Sequence, residues 1–238
     1  MSVFLCGGGA GRQTDEVNAL YAGMIDKEKP VLYLPFAMTE DMFGGCEAWI
    51  PTELNPFGIR KIRTLTDIGD FPGDLTGFSS VYIGGGNTFR LLTILKQSGV
   101  FERLREYIAN GGVVMGGSAG AIIFGRDISC SWYADENVTG LENTRGLDIL
   151  NGWDICCHFT DRDAERNAYE YGVIADYAAR GNKVLALTER THLFVEDGRF
   201  TVVGPGECAV LEGCAVRTMA PGESGFYQVV GRDAHIAP

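Results

Sequence analysis

No run of the 238-residue chain approaches the ~18 apolar residues of a membrane-spanning helix, so no membrane partner is expected. The opening segment, Met1 to Gly7, lacks the basic region and the long apolar run of a signal peptide. No stretch is rich in Lys or Arg. Lys+Arg total 20 against 31 Asp+Glu, a net charge of −11, which argues against nucleic acid or an anionic membrane as partner. No C-x-x-C pair occurs. The seven cysteines, Cys6, Cys46, Cys130, Cys156, Cys157, Cys208 and Cys214, are odd in number and lie mostly in apolar runs. That excludes a disulfide framework or zinc ribbon and fits reduced thiols in the cytoplasm. With three scattered histidines there is no zinc-site spacing, and neither metal nor cofactor is expected. Both the G-x-G-x-x-G fingerprint and the lysine of a P-loop are missing.

What is present is a folding composition, 45% hydrophobic and 21% charged, with an excess of glycine. The 33 glycines are about twice the usual ~7% share, without a collagen period, and they cluster. Apolar runs at Val3–Cys6, Val31–Phe36, Ser80–Ile83 and Val113–Met115 read as strands, and Ile59–Leu65 alternates as one. Helical patterns lie between them, near Asp15–Ile25, Glu40–Leu54 (with Pro51 a kink or stop), up to Gln97, and over Phe101, Leu104 and Ile108. This alternation predicts a mostly parallel α/β sheet covered on both faces, with ligands beyond the strands' carboxyl ends. A further helix follows Asp163, where Thr160 and Asp163 resemble a capping box, and ends at Gly181. After Val184–Leu187 come short strands at Leu193–Glu196, Phe200–Val203, Ala209–Leu211 and Gly225–Val230, with Asp197-Gly198 as a hairpin turn. One domain over 1–238, β-rich from about residue 190, is expected.

Gly116-x-Ser118-x-Gly120 between an apolar strand and a predicted helix matches a nucleophile elbow. Small flanking residues allow the sharp turn that lifts the hydroxyl off the sheet, and the helix N-terminus offers N–H groups to an oxyanion. Gly84-Gly85-Gly86 ends a neighbouring strand; it is either a tight turn, an anion cradle or, through the Gly86 N–H, half of an oxyanion hole. Gly7-Gly8-Gly9 reads as a strand-end turn on the same crevice. A serine nucleophile needs a base. His158 follows Trp153–Cys157 at a strand end and is preferred over His192, while His235 lies three residues from the end of the sequence. The orienting carboxylate is Glu189, after Val184–Leu187, or Asp135.

Three segments, Ile83-Gly-Gly-Gly-Asn-Thr-Phe-Arg-Leu-Leu92, Gly117-Ser-Ala-Gly-Ala121 and Cys157-His-Phe-Thr160, together resemble the dipeptidase E and cyanophycinase family of serine peptidases. The similarity runs from Val31-Leu-Tyr-Leu-Pro-Phe-Ala37 to about Leu193. It implies a flavodoxin-like three-layer α/β/α fold of the class I glutamine amidotransferase type. It further implies Ser118 as nucleophile, His158 as base, Glu189 as third member and the N–H groups of Gly86 and Ala119 as oxyanion donors. An older family assignment of the acid falls near Asp135. Asn87, Thr160 and Arg166 become substrate-binding candidates. An arginine after the histidine holds an N-terminal Asp side chain in dipeptidase E; here the segment is shorter, so Arg162 and Arg166 both qualify. Asn87-Thr88 and Cys157 depart from cyanophycinase, which favours a small peptide substrate over cyanophycin. A monomer or homodimer is expected. An esterase or acyl transferase with the same pair, and a non-catalytic binding module, are the other classes.

Overall fold

The computed structural model describes residues 1–227. Strands β1 (Ser2–Cys6), β2 (Val31–Leu34), β3 (Ile62–Thr64), β4 (Ser80–Ile83) and β5 (Val113–Gly117) form where the apolar runs predict them. They lie parallel in the order β1-β5-β4-β2-β3. Helices α1 (Asp15–Met24), α2 (Phe43–Leu54), α3 (Thr88–Gln97) and α4 (Val100–Ala109) connect them. Pro51 does not stop α2, which continues to Leu54.

The period-2 alternation of the strands divides the interior between two faces. Val3, Leu5, Val81, Ile83 and Val114 pack with Leu91, Leu92, Leu95 and Leu104 of α3 and α4. Phe4, Cys6, Tyr82 and Met115 face Val17, Tyr21, Ile50 and Leu54 of α1 and α2. Each fully buried Leu, Ile or Phe of this kind stabilises by about 1.5–3 kcal/mol. A sheet apolar on both faces needs helices on both, which makes three α/β/α layers.

On the free edge of β1, the chain adds β8 (His192–Glu196), β9 (Arg199–Val203) and β12 (Ser224–Phe226), all antiparallel to their neighbours. The β8–β9 turn is Asp197-Gly198, with φ of 45° and 80°, as the dipeptide predicts. Because β8 occupies that edge, β6 (Trp153–Cys156) and β7 (Lys183–Leu187) build a separate four-stranded sheet. The other two strands of that sheet are β10 (Cys208–Glu212) and β11 (Ala215–Met219). β11 has no counterpart in the sequence reading, because four of its five residues are exposed and no apolar run marks it. Of the expected strand at Gly225–Val230, residues 228–230 lie outside the described residues, as does His235.

On the face of the second sheet turned away from the first, α6 (Ala164–Ala179) packs Ile174 and Ala178 on Val184, Ala186 and Leu211. Its N-cap is Asp163, whose side chain accepts from the Arg166 N–H. The capping box expected from Thr160 does not form: Thr160 has φ 59° and its N–H donates to Glu170. The two sheets meet at the carboxyl end of β1. There the His158 N–H donates to Gly7 O (2.9 Å), and the Gly7 N–H donates to Thr191 O (3.0 Å).

Candidate active site

Ser118 stands between β5 and the single-turn helix α5 (Ala119–Ile122), with φ 52° and ψ −114°. A positive φ on a non-glycine residue costs about 1–3 kcal/mol and persists only where the surroundings over-determine it. Here the Ser118 N–H donates to Cys6 O (2.9 Å), and Ser118 O accepts from Ala121 (2.8 Å) and Ile122 (3.0 Å). Gly120 lets α5 press on β4, since a Cβ there would stand 2.2 Å from Ile83 O. The helix is one turn long, so its macrodipole is small and the useful feature is the individual N–H groups.

His158 follows β6 and also has a positive φ, 54°. Its Nε2 lies 2.8 Å from Ser118 Oγ, and its Nδ1 lies 2.9 Å from Glu189 Oε1. Glu189 follows β7 by two residues. A carboxylate only accepts, so Nδ1 carries the proton and Nε2 is the acceptor for the serine hydroxyl. Glu189 is itself held. Gln13 Nε2 donates to its Oε2 (3.3 Å), and its N–H donates to Asp161 Oδ2 (2.5 Å). Partial burial pushes the Glu189 carboxyl upward, but the hydrogen bonds from His158 and Gln13 and the nearby positive charge outweigh it, leaving its pKa below the usual value. Burial raises the pKa of Asp161 above its usual value, against the lowering effect of the hydrogen bond it accepts from the Glu189 N–H.

The N–H groups of Gly86 and Ala119 make no hydrogen bond among the described residues. Both residues flank the serine: Gly86 lines the cleft that Ser118 lines, and Ala119 follows Ser118 in the chain.

The other candidates are distributed as follows. Asp135 does not bond His158; its Oδ2 accepts from the Thr88 N–H (2.9 Å) and hydroxyl (2.5 Å) at the start of α3. His192 is fully buried in β8, bonded through Nε2 to Gln13 O (2.8 Å), and makes no contact with Ser118. Asn87 is the N-cap of α3: its Oδ1 accepts from the Arg90 N–H and its Nδ2 donates to Glu136 O. Neither Asn87 nor Thr160 lines the cleft.

That cleft has a volume of about 310 Å³ and runs from Ser118 and His158 past Tyr133 and Asp135 to Arg162 and Arg166. Arg166 makes the helical pair with Glu170 (Nε–Oε1 3.0 Å) and also donates to Tyr133 O (3.0 Å). Glu170 is 3% exposed, so Arg166 neutralises a buried carboxylate while bordering the cleft. The exposed Arg162 side chain has no hydrogen-bond or ion-pair partner among the described residues. Gln13 and Asp161, which hold Glu189, carry no motif and escaped the sequence reading. Among the described residues, no group of three or more His, Cys, Asp or Glu is arranged to hold a metal, and no helix is long and apolar enough to cross a membrane.

Comparison with known proteins follows the same lines. The sequence profile of peptidase family S51 matches residues 3–203. Peptidase E of Escherichia coli O1:K1 is 24% identical over 203 residues, spanning 81% of this chain and 84% of that protein. Peptidase E of Shigella boydii serotype 18 gives the same values. Among solved structures, a peptidase from an acI-B1 Actinobacterium superposes with a TM-score of 0.71 at 16% identity, over 95% of this chain and 96% of that one. A candidate peptidase E from Listeria monocytogenes EGD-e gives 0.69 at 20% identity, over 86% and 98%. Those two likenesses establish the fold, and the profile, which covers well over half the sequence, establishes the lineage: the chain belongs to peptidase family S51.

Proposed function

We propose that this chain is a serine peptidase that removes an acidic N-terminal residue from small peptides through an acyl-enzyme. The observation that carries the reading is the continuous pair of contacts from Ser118 Oγ to His158 Nε2 (2.8 Å) and from His158 Nδ1 to Glu189 Oε1 (2.9 Å). Ser118 Oγ attacks the scissile carbonyl carbon while Nε2 takes the hydroxyl proton. Glu189 keeps the Nδ1 proton in place and stabilises the imidazolium, without itself becoming protonated. The oxyanion is received by the Gly86 and Ala119 N–H groups, each such donor contributing about 3–4 kcal/mol in the transition state. Nε2 then returns its proton to the departing amine. A water attacks the acyl-enzyme, gives its proton to Nε2, and frees Ser118.

The acidic preference rests on Arg162 and Arg166 at one end of the cleft. With a net charge of −11, the overall field repels an anionic side chain, so local guanidinium groups must attract it.

The test is hydrolysis of Asp-p-nitroanilide and a panel of Asp-X dipeptides by wild type and Ser118→Ala, each with and without chelator. Turnover by wild type and loss in the variant, unaffected by chelator, is expected. Undiminished turnover by Ser118→Ala would overturn the serine mechanism, and turnover of esters without peptides would move the chain to the esterases.

A further inference from the structure

Ser118 and His158 border a second cavity, of about 240 Å³, whose lining includes neither Arg162 nor Arg166. Gly86 borders both cavities, so the candidate nucleophile stands at their junction. The second cavity is lined by Gly9, Trp49, Glu53 and Tyr82, none of which has a part in the mechanism above. Glu53 projects from α2 and is 7% exposed. It accepts from the Gly11 N–H (3.1 Å) and the Thr14 hydroxyl (3.0 Å), which hold it in place beside the glycine turn after β1. Past Trp49 and Gly85 the space continues into a groove of about 340 Å³ under Tyr33, Met38 and Met42, which is mostly apolar.

A peptide whose scissile bond lies at Ser118 must send its two halves in different directions. If the arginine cleft holds the acidic acyl half, the second cavity receives the amine that leaves. We infer that this cavity is the leaving-group subsite, and that Glu53 makes it select leaving groups without a free carboxylate next to the scissile nitrogen. This rests on the peptidase reading above. In a dipeptide the terminal carboxylate is separated from the scissile nitrogen by a single carbon, so it enters the cavity that Glu53 lines. Like charges brought together in a site shielded from water oppose binding strongly. An amide or a continuing peptide bond carries no such charge and offers an N–H to the Glu53 carboxylate. The apolar groove beyond Trp49 then suits an apolar side chain on the leaving residue. The preferred substrate class is therefore an acidic residue followed by an apolar one whose carboxyl group is blocked or extended.

Three substrates test this on the intact protein: Asp-p-nitroanilide, Asp-Leu and Asp-Leu-amide. The expected kcat/KM for Asp-Leu-amide exceeds that for Asp-Leu by about tenfold, and Glu53→Gln, which preserves the hydrogen-bonding shape, narrows the ratio to about twofold. Should Glu53→Gln fail to fold, wild type alone decides: leucinamide is expected to inhibit Asp-p-nitroanilide hydrolysis at about one tenth the concentration of leucine. Equal turnover of the two peptides, equal inhibition by the two products, or an unchanged ratio in a folded Glu53→Gln overturns the subsite while leaving the peptidase reading intact. No hydrolysis of any of the three substrates overturns the peptidase reading, and the subsite falls with it.

Discussion

A methyl group at Gly8 would stand 2.3 Å from Cε1 of His158. The residue also has φ 127°, a conformation open to glycine and strained for any other residue. The turn after β1 is therefore part of the histidine's seat, and its glycines leave room for the imidazole ring.

Gly8→Ala is expected to displace the ring and cut kcat/KM by at least about a hundredfold, the usual cost of moving a reacting group by about 1 Å. The cooperative thermal transition should survive. Steady-state kinetics together with a thermal melt check this; a fully active Gly8→Ala would show that His158 tolerates displacement.

Glu189→Gln and Asp135→Asn separate the two candidate acids. Glu189 is bonded to His158 Nδ1, whereas Asp135 is bonded to Thr88. Losing the orienting carboxylate costs about 10⁴-fold in kcat in the triad proteases, so Glu189→Gln is expected to lose on the order of a thousandfold or more. Asp135→Asn should stay within about tenfold. The reverse order would reassign the acid.

Arg162→Ala and Arg166→Ala differ in what else they remove. Without Arg166, the buried Glu170 loses its charged partner, which costs about 1–3 kcal/mol of stability. Arg166→Ala should therefore lower Tm as well as activity on Asp substrates. Arg162→Ala should raise KM for Asp substrates at an unchanged Tm. Equal activity on Asp and Ala substrates in wild type would remove the acidic preference altogether.

His192 gives the fold an acid-sensitive element. Burial holds its pKa below the ordinary 6.5, against a smaller upward pull from the bond to Gln13 O. Because the folded value is the lower one, the unfolded chain binds more protons as pH falls. The contribution of His192 to stability is complete above about pH 6.5 and is lost as pH drops through the folded value. Thermal melts at pH 7.5 and 5.5 should show a smaller acid loss in His192→Asn than in wild type. An identical loss in both would assign acid sensitivity to other groups.

Much of the fold was legible in particular runs. Val3–Cys6, Val31–Phe36 and Ser80–Ile83 are apolar apart from Ser80 and buried at every position, as strands covered on both faces require. The elbow was legible because glycines on either side of Ser118 serve close approach: a Cβ on Gly116 would stand 2.3 Å from Gly120 O of α5, and one on Gly120 would stand 2.2 Å from Ile83 O of β4. β11 and the Asp163 cap were missed for the opposite reason: exposed strand residues and competing cap residues leave weak local signals. Asn87 shows the same limit from the functional side, since a residue placed beside the glycine loop can serve as a substrate contact or as a helix cap, and here its side chain caps α3.

By itself, the sequence determined the α/β layering, the elbow at Ser118 and the strand ends that carry His158 and Glu189, because hydrophobic period and turn chemistry are local properties. Tertiary structure alone decided that Glu189 rather than Asp135 meets His158, that His192 is buried away from Ser118, that Gln13 and Asp161 hold Glu189, and that Glu53 lines a cavity bordered by Ser118 and His158. The ends of β1, β6 and β7 are tied around one crevice by backbone bonds between segments distant in sequence, from His158 to Gly7, from Gly7 to Thr191 and from Phe159 to Leu187. Such long-range pairing is written in the packing of the whole chain, and no short window of residues contains it.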